Sequence, residues 1–461
     1  MPNGKLALKS AESKQINGKE KMWDDIIYVS LLLISIGFGK ITRGIEEISA
    51  RKWASSLFGL GIVLIVSGWS TLHTLVSVVL HSFLIKTCSS HQVQWINLVF
   101  GFLHLIFFRL CGSDFLPFLP VPPSHTNAIQ MIMTLKLMGL AFEVHDSKLN
   151  PGFLDIFHYS FAHSGILTGP YYKFRTFLDL YEKPYAKYAD CDLAMMTRIL
   201  RAPFYVVLFL VTGYLFPIKA VLEENFYENS TVFWRIFYMT PVFFNFRMRL
   251  YTGFILSECS CIMAGLGAYP VKSEPKPGQG PSKPIEKVTE KDQMNFETIH
   301  NIDEFATETV CTMREALKYW NMTVQWWLVA NIYKRCPNLS RNMRAFIVMM
   351  TSSIWHGVYA GYYLSLGSVP FVLAVEDLYE KILRRKLKDT QIYDKVAWFM
   401  RFQWFSYLGM GFQLLRIDTT MKFWNSIFYV GHLILPIFYL CGLFIVNPVV
   451  KMVWPQKPRT D

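Results

Sequence analysis

Long apolar runs recur along the chain at short intervals, and brief polar segments separate them. Six of the runs are Ile26–Phe38, Leu57–Val66, Leu72–Ile85, Trp95–Phe108, Tyr205–Pro217 and Phe423–Val446. Several contain about 14 residues, whereas a helix that crosses a bilayer needs about 20, so polar flanks must extend them or the segments must tilt or re-enter. The pattern predicts an all-α, multispan integral membrane protein with about ten or eleven transmembrane or re-entrant helices.

Composition and charge favour the same class of protein. Only 17% of the 461 residues are charged and 52% are hydrophobic, whereas soluble domains carry about 25% charged residues. The 46 basic and 34 acidic residues give a net charge of +12. In a membrane protein, such an excess collects in the cytoplasmic loops. Because the basic residues are divided among loops and form no single face, the sequence predicts the membrane bilayer as a partner and no nucleic acid.

The cysteines indicate neither a disulfide framework nor a zinc site. The eight cysteines contain no CxxC pair and show no regular spacing, and both kinds of site depend on such spacing. Cys259 and Cys261 lie in an apolar run, where small buried thiols are common. We therefore predict no metal site.

Polar segments divide the chain into parts. Residues 1–22 are predicted to be a disordered polar tail. Residues 271–292 are rich in Pro, Gly, Lys and Glu, which is typical of a flexible linker. We expect this linker to separate an N-terminal part, residues 23–270, from a C-terminal catalytic part, residues 293–448, of one membrane domain. Residues 449–461 form a polar tail.

Several ionisable residues interrupt the apolar segments. Ionisable groups within a membrane normally face the protein interior or a wet cavity. Lys136 and Glu143 stand seven positions apart on one face of the helix predicted at Asn127–Asp146, which favours a structural ion pair over a role in substrate binding. Glu258 is another such acid, and we expect Arg247 or Arg249 to be its partner.

The segment Met313–Ile332 carries a polar stripe. If it forms one helix, Arg314, Lys318, Asn321 and Gln325 stand at i, i+4, i+7 and i+11 and share a face. The stripe passes from cations to neutral amides, and a polar stripe on a membrane helix indicates a wet groove. A ligand with a phosphate-bearing end and a reactive neutral end would suit this groove.

His356 follows a second apolar stretch, 35 positions after Asn321. That separation leaves room for one helix, a basic loop and a return, so the two side chains can face each other. Histidine can accept a proton near neutral pH because its pKa is about 6.5, and an asparagine amide can donate to a carbonyl oxygen that gains negative charge. The pair suits direct attack of an alcohol on an activated ester. A single histidine in an apolar helix is as often hydrogen-bonded to a neighbour only, and residue types leave both interpretations open.

The motifs in this order resemble those of the membrane-bound O-acyltransferase family, and the lysophosphatidylinositol acyltransferase branch in particular. Members pair an asparagine in a W-N type motif with a histidine in a later apolar segment, to which Asn321 and His356 correspond. The residues that carry the resemblance are Thr168-Gly169-Pro170 with Arg175, Pro241–Phe244 with Phe246–Arg249, Glu258-Cys259 with Gly267–Pro270, Tyr319–Leu328 and Trp355-His356-Gly357.

The resemblance implies a fold, a reaction and a location. The fold would surround a central catalytic tunnel, in which His356 activates the sn-2 hydroxyl of a lysophospholipid and Asn321 stabilises the thioester carbonyl of acyl-CoA. Acyl-CoA is then a co-substrate, and no cofactor is needed. The expected lipid is lysophosphatidylinositol, the expected acyl chain is long and polyunsaturated (arachidonoyl-like), and the expected role is phospholipid remodelling (the Lands cycle) in the endoplasmic reticulum membrane. Further candidate substrate-binding residues are Arg314, Lys318, Trp320, Gln325 and Trp355.

The mouth of such a tunnel should be basic, since CoA carries several phosphates. Two basic clusters are candidates, although the cytoplasmic bias of Lys and Arg explains each single residue equally well. The clusters are Lys334/Arg335/Arg341/Arg344 and Lys381/Arg384/Arg385/Lys386/Lys388.

Three other functions remain open from the sequence. A lysophosphatidylserine or lysophosphatidylcholine acyltransferase of the same family would share every motif above. A membrane transporter would also carry buried charges and broken helices, but it is expected to show a repeat between its halves, and none is visible. A non-catalytic membrane scaffold would bind acyl-CoA without releasing free CoA.

Overall fold

The computed structural model describes residues 25–113 and 115–453, and these residues are mainly helical. The predicted tail at residues 1–22 lies outside the described residues. The helices of the first half are α1 (Asp25–Arg43), α2 (Ile48–Ser67), α3 (Thr71–Thr87), α4 (Val93–Leu110), α5 (Thr126–Ser147), α6 (Phe153–Phe161), α7 (Phe174–Glu182), α8 (Cys191–Ile199), α9 (Ala202–Leu215), α10 (Glu224–Asn229) and α11 (Val232–Ala264).

The second half continues with nine more helices. They are α12 (Glu304–Thr309), α13 (Met313–Tyr319), α14 (Met322–Asn331), α15 (Arg341–His356), α16 (Ala360–Ile382), α17 (Gln391–Leu414), α18 (Ile417–Ser426), α19 (Val430–Cys441) and α20 (Asn447–Val453). Strands β1 (Tyr269–Pro270) and β2 (Met294–Asn295) pair antiparallel, with Tyr269 opposite Asn295. Helix α20 extends through Val453, so the first five residues of the tail predicted at 449–461 are helical, and residues 454–461 lie outside the described residues.

Among the described residues, five helical segments are long and apolar enough to cross a membrane, with mean hydropathies from 1.5 to 2.3. They contain five of the six apolar runs and the part of the last run from Val430 onward, and the two runs near residues 60 and 80 fall in one segment interrupted by a short 3-10 turn, Gly68–Ser70. The segments are Asp25–Arg43, Ile48–Thr87, Val93–Leu110, Cys191–Leu222 and Val430–Val453. The prediction of an all-α, multispan membrane protein is therefore confirmed.

The chain divides into two compact units. The first contains the described residues up to Ile199 together with Gly253–Ile299, and the second contains Leu200–Thr252 and the described residues from His300 onward. The segment 271–292, predicted to be a linker between the two parts, lies wholly within the first unit. Its backbone explains why: the Ser273 carbonyl accepts the N–H groups of Ser282 and Lys283, each at 3.0 Å, and the segment folds back on itself.

Helix α5 is the centre of the first unit. Its residues from Ile129 to Phe142 are almost all buried, as expected for a helix that is apolar on every side. Lys136 is one of them, and its ammonium donates to the Tyr172 hydroxyl at 3.0 Å and lies 4.6 Å from the centre of the Tyr159 ring.

Glu143 on the same helix does not pair with Lys136. Its carboxylate accepts the backbone N–H groups of Phe174 and Arg175 at 2.8 and 3.2 Å, where α7 begins. The predicted ion pair is wrong because seven residues of helix separate the two positions by about 10 Å of axial rise. The unsatisfied N–H groups at a helix N-terminus provide an alternative partner for the carboxylate.

Glu258 also has a partner that the sequence did not identify. Its carboxylate accepts two hydrogen bonds from the Arg198 guanidinium, at 2.7 and 3.3 Å, and both side chains are buried in the first unit. Arg247 instead binds Glu308 in the second unit, at 2.8 Å. The expected pairing of Glu258 with Arg247 is therefore wrong. Arg198 and Glu258 are 60 positions apart in the chain, and the packing of the helices brings them together.

The second unit has its own apolar core, formed mainly by α16, α17, α18 and the first half of α11. Trp424 stacks on Tyr407, with ring centres 5.1 Å apart, and the Tyr407 hydroxyl contacts His432 Nδ1 at 2.7 Å. Gly409 of α17 allows the Phe243 ring to approach, since a Cβ at this position would lie 2.2 Å from that ring. This close approach brings α11 and α17 together beside the candidate site.

Candidate active site

The polypeptide changes direction sharply at Asn321. Helix α13 ends at Tyr319 and α14 begins at Met322, and Asn321 between them has the left-handed backbone angles φ 45° and ψ 53°. The continuous helix predicted over Met313–Ile332 is therefore wrong. Asparagine is one of the few residues other than glycine that adopts this conformation readily, and a period of apolar residues does not reveal such a break.

Asn301 secures the break from the outside. Its carbonyl accepts the Met322 N–H at 2.7 Å, and its side-chain oxygen accepts the N–H and the hydroxyl of Thr323 at 3.3 and 2.6 Å. These bonds satisfy the donors that a continuous helix would have used. The conformation of Asn321 is thus held by Asn301, a buried residue 20 positions earlier in the chain.

The side chain of Asn321 is itself unpartnered. Its Oδ1 is buried, and no hydrogen bond joins it to the residues that the structure describes. Leaving a buried amide oxygen unpaired costs about 1–3 kcal/mol, so native proteins keep few such groups. The carboxamide is available to bind a ligand.

His356 is the last residue of α15 and precedes a second abrupt turn. Gly357 has φ 148° and ψ −166°, a conformation that residues with a side chain rarely adopt, and its N–H closes the helix on the Ser353 carbonyl at 2.9 Å. The imidazole is half-buried among aromatic rings. The ring centres of Trp355 and Phe412 lie 4.8 Å from it and that of Tyr362 lies 5.6 Å from it.

A series of ring contacts connects the two predicted catalytic positions. We call it the aromatic wall, and it comprises Trp320, Phe405, Phe243, Phe246, Phe412 and the His356 imidazole. Successive ring centres lie 6.1, 5.0, 5.9, 5.8 and 4.8 Å apart. Trp320 immediately precedes Asn321 in the chain, so this series of ring contacts joins the neighbour of Asn321 to the His356 imidazole within the second unit.

The other predicted substrate-binding residues are divided between several places. Arg314 on α13 forms an ion pair with Asp377 at 2.8 Å, and the exposed Lys318 has its ammonium 5.6 Å from the Tyr319 ring centre. Gln325 lies on α14, beyond the break, so the four polar residues do not form one continuous stripe. Trp355 is buried beside His356.

The two predicted basic clusters are partly neutralised by carboxylates. Arg341 lies 3.6 Å from Asp377. Arg384 binds Asp394 at 2.7 Å, and Arg385 lies 3.5 Å from Glu380. Several of these cations therefore have local acidic partners, as loops at a membrane surface often do.

The sequence did not identify a buried ionic group behind the aromatic wall. The Arg247 guanidinium binds both carboxylate oxygens of Glu308 at 2.8 and 3.0 Å, and the Tyr251 hydroxyl donates to Glu308 at 2.7 Å. The guanidinium also lies 5.0 Å from the centre of the Phe243 ring and 5.8 Å from that of Phe405. An arginine inside an apolar motif was the available signal, but its partner is 61 positions away.

Comparison with known proteins agrees with the motifs. The sequence profile of MBOAT, the membrane-bound O-acyltransferase family, matches residues 58–417, a range that includes both Asn321 and His356. A Homo sapiens protein named membrane-bound acylglycerophosphatidylinositol O-acyltransferase is 38% identical over 435 residues, which cover 88% of this chain and 90% of that protein.

Two further relatives carry the same name. The Bos taurus protein is 37% identical over 437 residues, covering 88% of this chain and 91% of its own length. The Drosophila melanogaster protein is 35% identical over 447 residues, covering 89% and 90%. The chain is therefore a multispan membrane enzyme that belongs to the membrane-bound O-acyltransferase family.

Proposed function

We propose that the protein transfers a long acyl chain from acyl-CoA to the sn-2 hydroxyl of lysophosphatidylinositol. The names of the relatives support the lipid: three proteins with 35–38% identity over about nine-tenths of the chain are called acylglycerophosphatidylinositol O-acyltransferases. Two residues of the second unit, Asn321 and His356, support the chemistry.

The observation that carries the proposal is the presence in one unit of the Asn321 carboxamide, whose buried Oδ1 has no partner among the described residues, and of the His356 imidazole, which lies among aromatic rings. The aromatic rings of the wall suit a substrate that joins a long hydrocarbon chain to one reactive polar group. The acyl thioester of acyl-CoA and the glycerol hydroxyl of a lysolipid together have this character.

In the proposed reaction, His356 accepts the proton of the sn-2 hydroxyl while the oxygen attacks the thioester carbonyl. Asn321 donates a hydrogen bond to the carbonyl oxygen as it gains negative charge. The tetrahedral intermediate then collapses, the carbon–sulfur bond breaks, and the thiolate of CoA takes the proton from the imidazolium. The products are free CoA and the diacyl phospholipid, and no acyl group is attached to the enzyme.

The five further residues have supporting roles in this proposal. Trp320 and Trp355 contribute the apolar surface next to each polar group, and Gln325 lies one helical turn beyond Asn321. Arg314 and Lys318 offer positive charge for a phosphate group, although Arg314 must exchange its bond to Asp377 to do so. An arachidonoyl-like chain and the endoplasmic reticulum membrane complete the proposal, both on the resemblance to the family branch.

The test is an assay of the purified full chain with a panel of lysolipids and acyl-CoAs, in which both free CoA and the new phospholipid are measured. We expect lysophosphatidylinositol with a polyunsaturated acyl-CoA to be the best pair. His356→Ala should reduce product to background, while His91→Ala, which alters an exposed histidine, should not.

Each alternative function corresponds to a different result of the same assay. Faster turnover of lysophosphatidylserine or lysophosphatidylcholine would replace the proposed lipid. Lipid movement across vesicles without release of CoA would indicate a transporter. Binding of acyl-CoA with no release of CoA by the wild-type protein would indicate a scaffold.

A further inference from the structure

The first unit contains a basic pocket whose lining includes neither Asn321 nor His356. We call it the phosphate pocket; it has a volume of about 370 Å3, and its lining includes the cations Lys173, Arg175, Lys183 and Lys283 and a single acidic residue, Asp179. Pockets of about 300–1,000 Å3 are typical of small-molecule sites. We propose that this pocket binds the phosphate group of a small phosphorylated ligand.

The acidic residue of the pocket is already neutralised. The carboxylate of Asp179 accepts a hydrogen bond from Arg175 at 2.8 Å and another from the Tyr269 hydroxyl at 2.7 Å. One cation is thereby matched by one anion, and Lys183 and Lys283 supply further positive charge. Glu143 lies near Lys173, but its oxygens accept the N–H groups at the start of α7.

Two of the lysines are available to an incoming anion. Among the described residues, no carboxylate forms an ion pair with Lys183. Lys283 lies 2.6 Å from Glu274, with both side chains more than half exposed. Exposed ion pairs contribute at most about 1 kcal/mol, so a phosphate can replace Glu274 readily. Hydrogen bonds between ammonium groups and phosphate oxygens are stronger than neutral ones.

Backbone hydrogen bonds hold the walls of the pocket in place. The Lys283 N–H binds the Ser273 carbonyl at 3.0 Å, and the Gly278 N–H binds the Thr298 carbonyl at 2.8 Å. On the other side, Glu143 fixes the first turn of α7, which carries Arg175 and Asp179. A preformed site loses less entropy when it binds its ligand, which argues against these lysines being merely a solvated surface.

Two kinds of ligand present the required phosphate on a small polar carrier. One is the 3′-phosphorylated nucleotide end of CoA, and the other is the phosphoinositol head group of a lipid. Their shared feature is a phosphate on a hydroxylated ring, and ammonium groups bind the phosphate oxygens. The inference depends on the first unit alone and does not require the proposed acyl transfer.

The experiment measures equilibrium binding of two probes, adenosine 3′,5′-bisphosphate and inositol 1-phosphate, to the full chain in detergent by calorimetry. The test variant is Lys183→Gln/Lys283→Gln. The control is Lys287→Gln/Lys291→Gln, which removes two exposed charges from the same segment but outside the pocket. We expect saturable binding of at least one probe, weakened about tenfold or more in the test variant and less than about twofold in the control.

The results distinguish the sources and the failures. Binding of the adenosine probe alone identifies a CoA nucleotide site, and binding of the inositol probe alone identifies a head-group site. The inference is overturned if neither probe binds saturably, or if both double variants weaken binding equally, since the effect would then be one of net charge. His356→Ala should bind the probe as the wild type does, so that a failure of the proposed acyl transfer leaves this result unaffected.

Discussion

The imidazole of His356 meets the ring of Phe412 edge to face, with the ring centres 4.8 Å apart and the planes at 83°. Phe412 belongs to α17 and His356 ends α15, so two helices determine where the imidazole lies. Tyr362 of α16 contacts both rings, with centres 5.6 Å from His356 and 4.8 Å from Phe412. The orientation of the candidate base is therefore a property of packing among three helices.

Truncation of Phe412 should misplace the imidazole without removing it. We expect Phe412→Ala to lower the rate of acyl transfer about ten- to one-hundredfold, because a displacement of about 1 Å in a reacting group has effects of this size. The matched control is Phe399→Ala, which removes an exposed phenylalanine from the same helix. Turnover numbers of the purified variants decide the matter, and equal rates for the two variants would contradict the positioning role.

Replacement of Asn321 by glycine separates its backbone role from its side-chain role. Glycine adopts φ 45° without strain, so Asn321→Gly should fold with a melting temperature close to that of the wild type. It lacks the carboxamide, however, and we expect a loss of about 100-fold or more in rate. Asn321→Ala should lose both activity and stability, the latter by about 1 kcal/mol. Full activity in the glycine variant would remove the amide from the mechanism.

The ion pair of Arg247 and Glu308 supports the wall from behind, since the guanidinium contacts Phe243 and Phe405. Arg247→Met leaves the Glu308 carboxylate without its partner, which should destabilise the protein by about 3 kcal/mol. The double variant Arg247→Met/Glu308→Gln should recover part of that loss.

Thermal unfolding in detergent measures both effects. The exposed pair of Arg416 and Asp418, with side chains 72% and 56% accessible, provides the comparison, and Arg416→Met should cost at most about 1 kcal/mol. If Arg247→Met and Arg416→Met lower the melting temperature equally, the pair of Arg247 and Glu308 does not stabilise the unit more than an exposed pair does.

A side chain at position 357 should disturb the end of α15. Gly357 has φ 148° and ψ −166°, a region in which other residues are strained by about 1–3 kcal/mol. Relief of that strain would rotate the peptide next to His356, so we expect Gly357→Ala to lower activity more than stability. Gly61→Ala is the control, since nothing lies within 4 Å of the added Cβ and alanine favours a helix. Unchanged activity in Gly357→Ala would mean that the turn does not orient the imidazole.

Several local features were predictable, and particular residues show why. The apolar runs predicted the membrane helices, because the length and hydropathy of a span depend only on consecutive residues. Helix α5, predicted at Asn127–Asp146, is observed at Thr126–Ser147.

The break at Asn321 was not predictable in the same way. It depends on hydrogen bonds from Asn301 to Met322 and Thr323, and those bonds exist only once the chain has folded. The helical spacing of polar residues in the sequence therefore continues through Asn321, whereas in the structure one helix ends at Tyr319 and the next begins at Met322.

The sequence also did not predict which charged residues form pairs. Lys136 binds Tyr172 instead of Glu143, and Glu258 binds Arg198 instead of Arg247. An ion pair requires two groups within about 4 Å, and the positions that meet are set by helix register and crossing. The segment 271–292 gives the same lesson, since its composition is that of a linker while its backbone bonds build the wall of a pocket.

The sequence by itself determined the class of the molecule: apolar spans, an excess of basic residues, and an asparagine and a histidine in motifs that resemble those of one enzyme family. These features are local, because hydropathy and motif spacing depend on residues that are near in the chain. Only the tertiary structure decided the left-handed turn at Asn321, the aromatic wall that connects it to His356, and the basic pocket of the first unit. Each of these features depends on side chains that are tens of positions apart and come into contact only when the helices pack. A short stretch of sequence does not determine the energy of that packing.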